Sequence, residues 1–110
     1  MSFINEMEVT ELAKLKGAGE SIRVIDIRQP AELNSGIIPG AEALPMHTIP
    51  LRMSELNREE KLIMVCRSGA RSAQACMFLQ QQGYEKVFNL RGGMMAWAGS
   101  GLEIGLPQAV

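Results

Sequence analysis

The chain has 110 residues, which favours one domain spanning 1–110, with a small core and no need of a disulfide staple. Its make-up, 46% apolar and 21% charged, is that of a soluble globular protein, and a net charge of -1 argues against nucleic-acid or acidic-membrane partners, so any cationic site is local. Two cysteines without Cys-x-x-Cys spacing exclude a disulfide framework and that type of metal site, and free thiols point to a reducing compartment.

The N-terminal stretch MSFINEMEVTELAK is acidic and lacks an apolar h-region, so it does not read as a signal peptide. No apolar run reaches membrane-span length, and the expected location is the cytoplasm. Ile4 to Met7 suggests a short edge strand. Val9 to Lys16 has helical spacing, with Val9, Leu12, Ala13 and Leu15 apolar and Gly17 and Gly19 as stops. Ile22, Val24, Ile25 and Ile27 form a β-branched run that predicts a buried strand. Pro30 opens a helical turn, PAELNSG, ended by Gly36. Ile38 to Ala41 is a turn before a short strand around Ala43 and Leu44. A helix is expected over Ile49 to Leu56, then the polar connection NREEK. Leu62 to Val65 predicts a second buried strand with Cys66 at its C-terminal end. A helix follows over Arg71 to Gln82, with Ala73, Cys76, Met77 and Leu79 facing inward and Gly83 as its cap. Val87 to Leu90 is the last strand, and Gly92 and Gly93 lead into a final helix carrying Trp97. Apolar runs alternating with helical periods specify an α/β sheet, and such sheets place ligand sites at the carboxyl ends of strands, where Cys66 stands.

The segment CRSGAR, Cys66 to Arg71, lies between that strand end and the next helix. Gly69 lets the backbone curl, a curled loop turns successive N–H groups inward, and the helix adds its positive end. Arg67 and Arg71 are expected to add charge, and the hydroxyls of Ser68 and Ser72 to supplement the amides. Each of these favours thiolate over thiol and lowers the pKa of Cys66. Such a nucleophile needs no adjacent base, which suits a chain whose sole histidine, His47, is distant in sequence. Cys76, at core spacing on a helix, reads as inert packing with at most a resolving role. Loops resembling the tyrosine-phosphatase pattern have five residues between Cys and Arg. Four intervene here, and the tighter cradle fits a persulfide or the terminal sulfur of thiosulfate better than a phosphoryl group. The eight methionines are scattered and read as gap-filling, with Met94 or Met95 reaching the site rim.

Three segments carry a family resemblance. VIDIRQPAELNSGIIPGAEALP, CRSGARS and GYEKVFNLRGGMMAWAGSGLEI resemble, in order and spacing, the N-terminal signature, active-site loop and C-terminal signature of single-domain rhodaneses. The resemblance implies an α/β fold with a central, mostly parallel five-stranded sheet and helices on both faces. It implies sulfur transfer through a persulfide on Cys66, with Arg67, Ser68, Gly69, Ala70, Arg71 and Ser72 holding the substrate. It also implies that Asp26 and Arg28 support the site as a buried pair, that Gly92 and Gly93 let the last helix approach the sheet, and that neither cofactor nor metal is needed. The family often has histidine where this chain has Ile37. A cationic residue that some two-domain members carry near Glu32 is missing here. The implied partners are a small anionic sulfur donor and a thiol acceptor. The alternative is a relay that hands persulfide sulfur to a specific protein and uses free thiosulfate poorly. A regulatory module without chemistry ranks below both, because the cysteine is present.

Overall fold

A computed structural model describes residues 3–107. In chain order its elements are β1 (Asn5–Met7), α1 (Val9–Gly17), β2 (Ile22–Asp26), α2 (Pro30–Leu33), β3 (Glu42–Ala43), α3 (Ile49–Arg52), β4 (Lys61–Val65), α4 (Ala70–Gln81), β5 (Val87–Leu90) and α5 (Gly93–Gly99). The sheet order is β1-β5-β4-β2-β3, and every pairing is parallel. The expected mostly parallel, five-stranded α/β sheet is therefore present and is wholly parallel.

Alternation along the central strand builds two cores. Leu62, Met64 and Cys66 face one side, with Ala75, Cys76 and Leu79 of α4 and Ile49 of α3. Ile63 and Val65 face the other, with Leu12 of α1 and Met94 and Trp97 of α5. Leu62, Ile63, Met64 and Val65 are fully buried, and each contributes about 2 kcal/mol of hydrophobic stabilisation. Helices thus cover both faces, which is why the central strands read as continuous apolar runs.

The connections run outward in opposite directions from the middle. β2 is followed by its neighbour β3 on one side, and β4 by its neighbour β5 on the other. The sheet therefore has a switch point between β2 and β4, the place where a crevice opens beyond the strand ends. Arg28 follows β2 and Cys66 follows β4, so both sit at that crevice.

Two local expectations are corrected. The segment over Ile49 to Leu56 is not one helix: the short α3 and a 3-10 turn at Met53–Glu55 replace it, preceded by another 3-10 turn at Met46–Thr48. Pro50 sits in the first turn of α3, where its missing N–H costs nothing; the helix breaks at Arg52, with φ of -110° and ψ of 14°, and Leu56 is already extended. On α4 the inward set is Ser72, Ala75, Cys76 and Leu79, whereas Met77 is 41% exposed and Ala73 only half-buried. The helix starts one residue earlier than expected, and its buried stripe follows the i, i+3, i+4, i+7 rule from Ser72. Met77 lies a further ~100° around from Cys76.

Candidate active site

The loop after β4 closes tightly on its own cysteine. Gly69 has φ of +97° and caps α4, a conformation open to glycine and strained for other residues. The turn aims the Gly69 N–H at Cys66 Sγ over 3.1 Å and the Ser72 N–H over 3.4 Å. The Ser72 hydroxyl lies 3.3 Å from the same sulfur. Burial pushes the Cys66 thiol up, but the Ser72 hydroxyl and the Ser72, Gly69 and Ser68 amides outweigh it, leaving the thiol below its ordinary value. The amides therefore turn toward the sulfur, as an anion cradle requires.

Gly93 completes the cradle from the opposite core. The Met94 N–H donates to Cys66 O over 2.9 Å, and the Met95 N–H to Arg67 O over 3.0 Å. With these carbonyls tied back by the first turn of α5, the loop's own N–H groups are left to face Sγ. A Cβ on Gly93 would fall on the Cys66 carbonyl oxygen and 2.7 Å from Arg67 O, so the close approach requires glycine. The last helix does approach the sheet, packing Met94 and Trp97 on Ile63, Val65 and Leu90, and Gly93 in addition lets it meet the loop beyond β4.

The arginines behave differently from each other. Arg71 is held by Glu32 of α2 through two bonds of 3.0 and 2.8 Å. That guanidinium, helped by the Gln29 N–H, holds the Glu32 carboxyl down to about 2. Arg71's charge is thus neutralised by a partner 39 residues away, and the lowered Cys66 value rests on the Ser72 hydroxyl and the amides. Arg67 is exposed and makes no ion pair among the described residues. It lines a cavity of about 500 Å³ with Arg28, Glu32, Met94, Met95 and Ile104. Ser68 and Ala70 are exposed, and Ser68 contributes its amide rather than its hydroxyl. Ile37 is buried; it bridges to Gly105 by paired backbone bonds and lines a neighbouring cavity, so the apolar rim comes from Met94, Met95 and Ile104 instead.

Asp26 and Arg28 are 1% and 4% exposed and form a multiply bonded ion pair, Arg28 Nη2 lying 2.7 Å from Asp26 Oδ2. Arg28 also donates to Gly36 O over 2.8 Å, tying the turn after α2 to the end of β2. Cys76 is buried, and burial first, then the charges of Glu6 and Cys66, pushes its thiol up to about 12.

Sequence reasoning assigns no role to Glu6 or to Asn89, although Asn89 lies within the C-terminal signature segment. Asn89, 2% exposed on β5, accepts a hydrogen bond from the Ser72 hydroxyl and donates to Gly69 O and Glu6 Oε2, both at 3.1 Å. The available signal was a lone amide side chain inside the apolar run Val87 to Leu90, since buried polar groups demand partners.

A wholly parallel sheet with a cysteine sulfur cradled by amides beyond its switch point, at the head of a helix, defines the class of this α/β protein. The chain belongs to the rhodanese-like domain family, whose model matches residues 8–100. A sulfurtransferase of Allochromatium vinosum is 50% identical over 105 residues, 96% of this chain and 98% of that protein. The thiosulfate sulfurtransferase GlpE of Pseudoalteromonas translucida is 38% identical over 78 residues, 71% of this chain and 74% of its own. The crystal structure of a rhodanese-like domain protein from Staphylococcus aureus superposes with a TM-score of 0.85 at 30% identity, covering 96% of this chain and 100% of that one. No helix among the described residues is long and apolar enough to cross a membrane.

Proposed function

We propose that the protein transfers sulfane sulfur from thiosulfate, a persulfide or a polysulfide to a thiophilic acceptor through a persulfide on Cys66. The observation that carries this reading is the convergence of the Gly69 and Ser72 amides and the Ser72 hydroxyl on one sulfur atom. In the first half-reaction the Cys66 thiolate attacks the outer sulfur of the donor. The donor's S–S bond breaks and its electron pair leaves with the departing group, sulfite in the case of thiosulfate. In the second, an acceptor thiolate or cyanide attacks the terminal sulfur of Cys66–S–S⁻, and the bond pair returns to Cys66 as thiolate. The Arg67–Ser72 backbone holds whichever sulfur bears the charge, and the Asp26–Arg28 pair fixes the crevice wall. The Cys66 side chain is fully covered, so loading requires the exposed Arg67–Ser68 side of the loop to yield.

Intact-protein mass spectrometry tests the reading. Exposure to thiosulfate, glutathione persulfide or polysulfide adds about 32 Da per sulfur atom to the wild type and nothing at this position to Cys66→Ser. No gain with any donor, or retained turnover in Cys66→Ser, overturns it.

A relay to a specific protein acceptor is the second reading. It is favoured by the sequestration of Arg71 by Glu32, which leaves Arg67 alone to attract a free dianion, and by the apolar rim of Met94, Met95 and Ile104. Saturable, fast thiosulfate:cyanide turnover without a partner excludes it.

A further inference from the structure

The Ser72 hydroxyl has one proton and two neighbours that want it. Asn89 Oδ1 accepts a hydrogen bond from Ser72 Oγ, and Cys66 Sγ lies 3.3 Å from that same oxygen. The orientation of the Asn89 amide is not free. Its NH₂ donates to Gly69 O and to Glu6 Oε2, both at 3.1 Å. Flipping the amide would set Oδ1 against a carbonyl and a carboxylate, two acceptor–acceptor contacts, the one with Gly69 O buried. Oδ1 therefore faces Ser72 permanently, and because it can only accept, Ser72 must donate to it. With the proton so placed, Ser72 Oγ presents a lone pair to Cys66, which suits a thiol S–H and opposes a thiolate.

We propose that Asn89 is a positioning residue for sulfur transfer, holding the Ser72 hydroxyl in one of two settings according to the charge on Cys66. While Cys66 is a thiol, the hydroxyl donates to Asn89. When the thiol loses its proton to solvent, the hydroxyl turns to the thiolate and Asn89 Oδ1 is left without its donor. When the charge moves out to the terminal sulfur of the persulfide, the hydroxyl returns to Asn89. Ionisation thus carries the cost of one orphaned buried acceptor, and that cost is recovered as the persulfide forms. The same amide pins Gly69, whose N–H is another donor to the sulfur. This inference rests on the reading of Cys66 as the nucleophile.

The other charged and titratable groups around the sulfur are accounted for. Arg71 of α4 and Glu32 of α2 neutralise each other, Cys76 of α4 stays protonated, and Glu6 of β1 meets the far side of the Asn89 amide. Arg67 lies on the loop itself, and Asp26 at the end of β2 is paired with Arg28 just after it.

An NMR titration of the uniformly labelled protein tests the two settings. The side-chain carbonyl carbon of Asn89 shifts with the same pH midpoint as the Cβ of Cys66 in the wild type, and the shift shrinks by more than half in Ser72→Ala. A flat Asn89 signal through the Cys66 titration overturns the inference, as does a shift that survives Ser72→Ala at over half its size. Asn89→Leu supplies an independent readout. With the competing acceptor gone the hydroxyl is released to the thiolate, so Asn89→Leu changes alkylation of Cys66 by iodoacetamide, at a fixed pH below its midpoint, about threefold more favourably in the wild-type background than in Ser72→Ala, where only the loosening of Gly69 is left to act; equal effects in the two backgrounds count against the inference. Neither measurement needs a sulfur donor. Failure of Cys66 to load sulfur would sink the proposed function while leaving the titration to decide the role of Asn89.

Discussion

Cys66 and Cys76 are both covered by protein, yet their thiols move in opposite directions. Burial alone raises a thiol, because the apolar interior disfavours the ion. Cys76 meets only that effect and two unfavourable charges, and is pushed up to about 12. Cys66 meets burial as well, but a hydroxyl and three amides point at it and reverse the sign. Alkylation therefore rises with pH through a midpoint below that of an ordinary free thiol and is confined to Cys66 at neutral pH; peptide mapping of labelled protein checks it. Because the Ser72 hydroxyl is the strongest of the lowering partners, Ser72→Ala moves the Cys66 midpoint upward. A hydrogen bond to a charged group is worth roughly 1.5 kcal/mol or more, partly offset by the acceptor it leaves behind on Asn89, so alkylation at pH 7 slows by a few-fold, and the Tm falls because Asn89 Oδ1 loses its buried donor. An unaltered rate would mean that the backbone amides suffice.

At the scale of the element, the loop depends on α5, which belongs to the opposite core. Its first turn takes up the carbonyls of Cys66 and Arg67, and Gly93, at φ of +55°, is where the two backbones meet. In Gly93→Ala the left-handed conformation costs roughly 1–2 kcal/mol. The methyl group also displaces the Cys66 and Arg67 carbonyls, for a total loss of roughly 3 kcal/mol or more. Denaturant unfolding reads the stability loss, and slower alkylation of Cys66 reads the displaced cradle; a Gly93→Ala protein as stable and reactive as wild type would contradict the close approach. Elements of this kind were only half legible. The central strands read as short apolar runs, β-branched over Ile22 to Ile27, and the loop is marked by a glycine between serines and arginines. Gly93 read as a turn residue, but the backbone it approaches is brought there by the sheet order. The same holds for Arg71, read as a charge beside the sulfur: its partner Glu32 is 39 residues away, a pairing that only the adjacency of β2 and β4 creates. Asn89 is likewise 17 residues from Ser72 and meets it because β5 lies beside β4. Within one element, Met77 was misplaced because a helical stripe shifted by one residue exposes a different side chain.

Across the whole molecule, two carboxylates join separate elements, and one of the two ion pairs crosses the switch point. Glu32 ties α2 to α4, and Glu42 ties β3 to Arg23 of β2 over 2.8 Å. Arg71, with the Gln29 amide, holds Glu32 down to about 2, and Arg23 draws Glu42 below the usual carboxylate range. A carboxyl whose folded value lies under its unfolded one stabilises the fold where it is ionised. That stability is complete above the unfolded value near 4.5 and is lost as pH falls toward the folded one. Both ion pairs are partly solvated, so together they are worth about 1 kcal/mol and weaken with salt. Urea midpoints measured between pH 7 and pH 2 should therefore fall below pH 4.5 in the wild type. In the Glu32→Gln/Glu42→Gln double variant the curve starts lower at pH 7 and is flatter, meeting the wild type near pH 2. Parallel curves would place the acid sensitivity in other carboxylates. The Asp26–Arg28 pair is untouched by these substitutions, so persulfide loading at pH 7 in the double variant shows separately whether freeing Arg71 alters capture of an anionic donor: a lower KM for thiosulfate is expected, because Arg71 is then free to meet the dianion at the crevice.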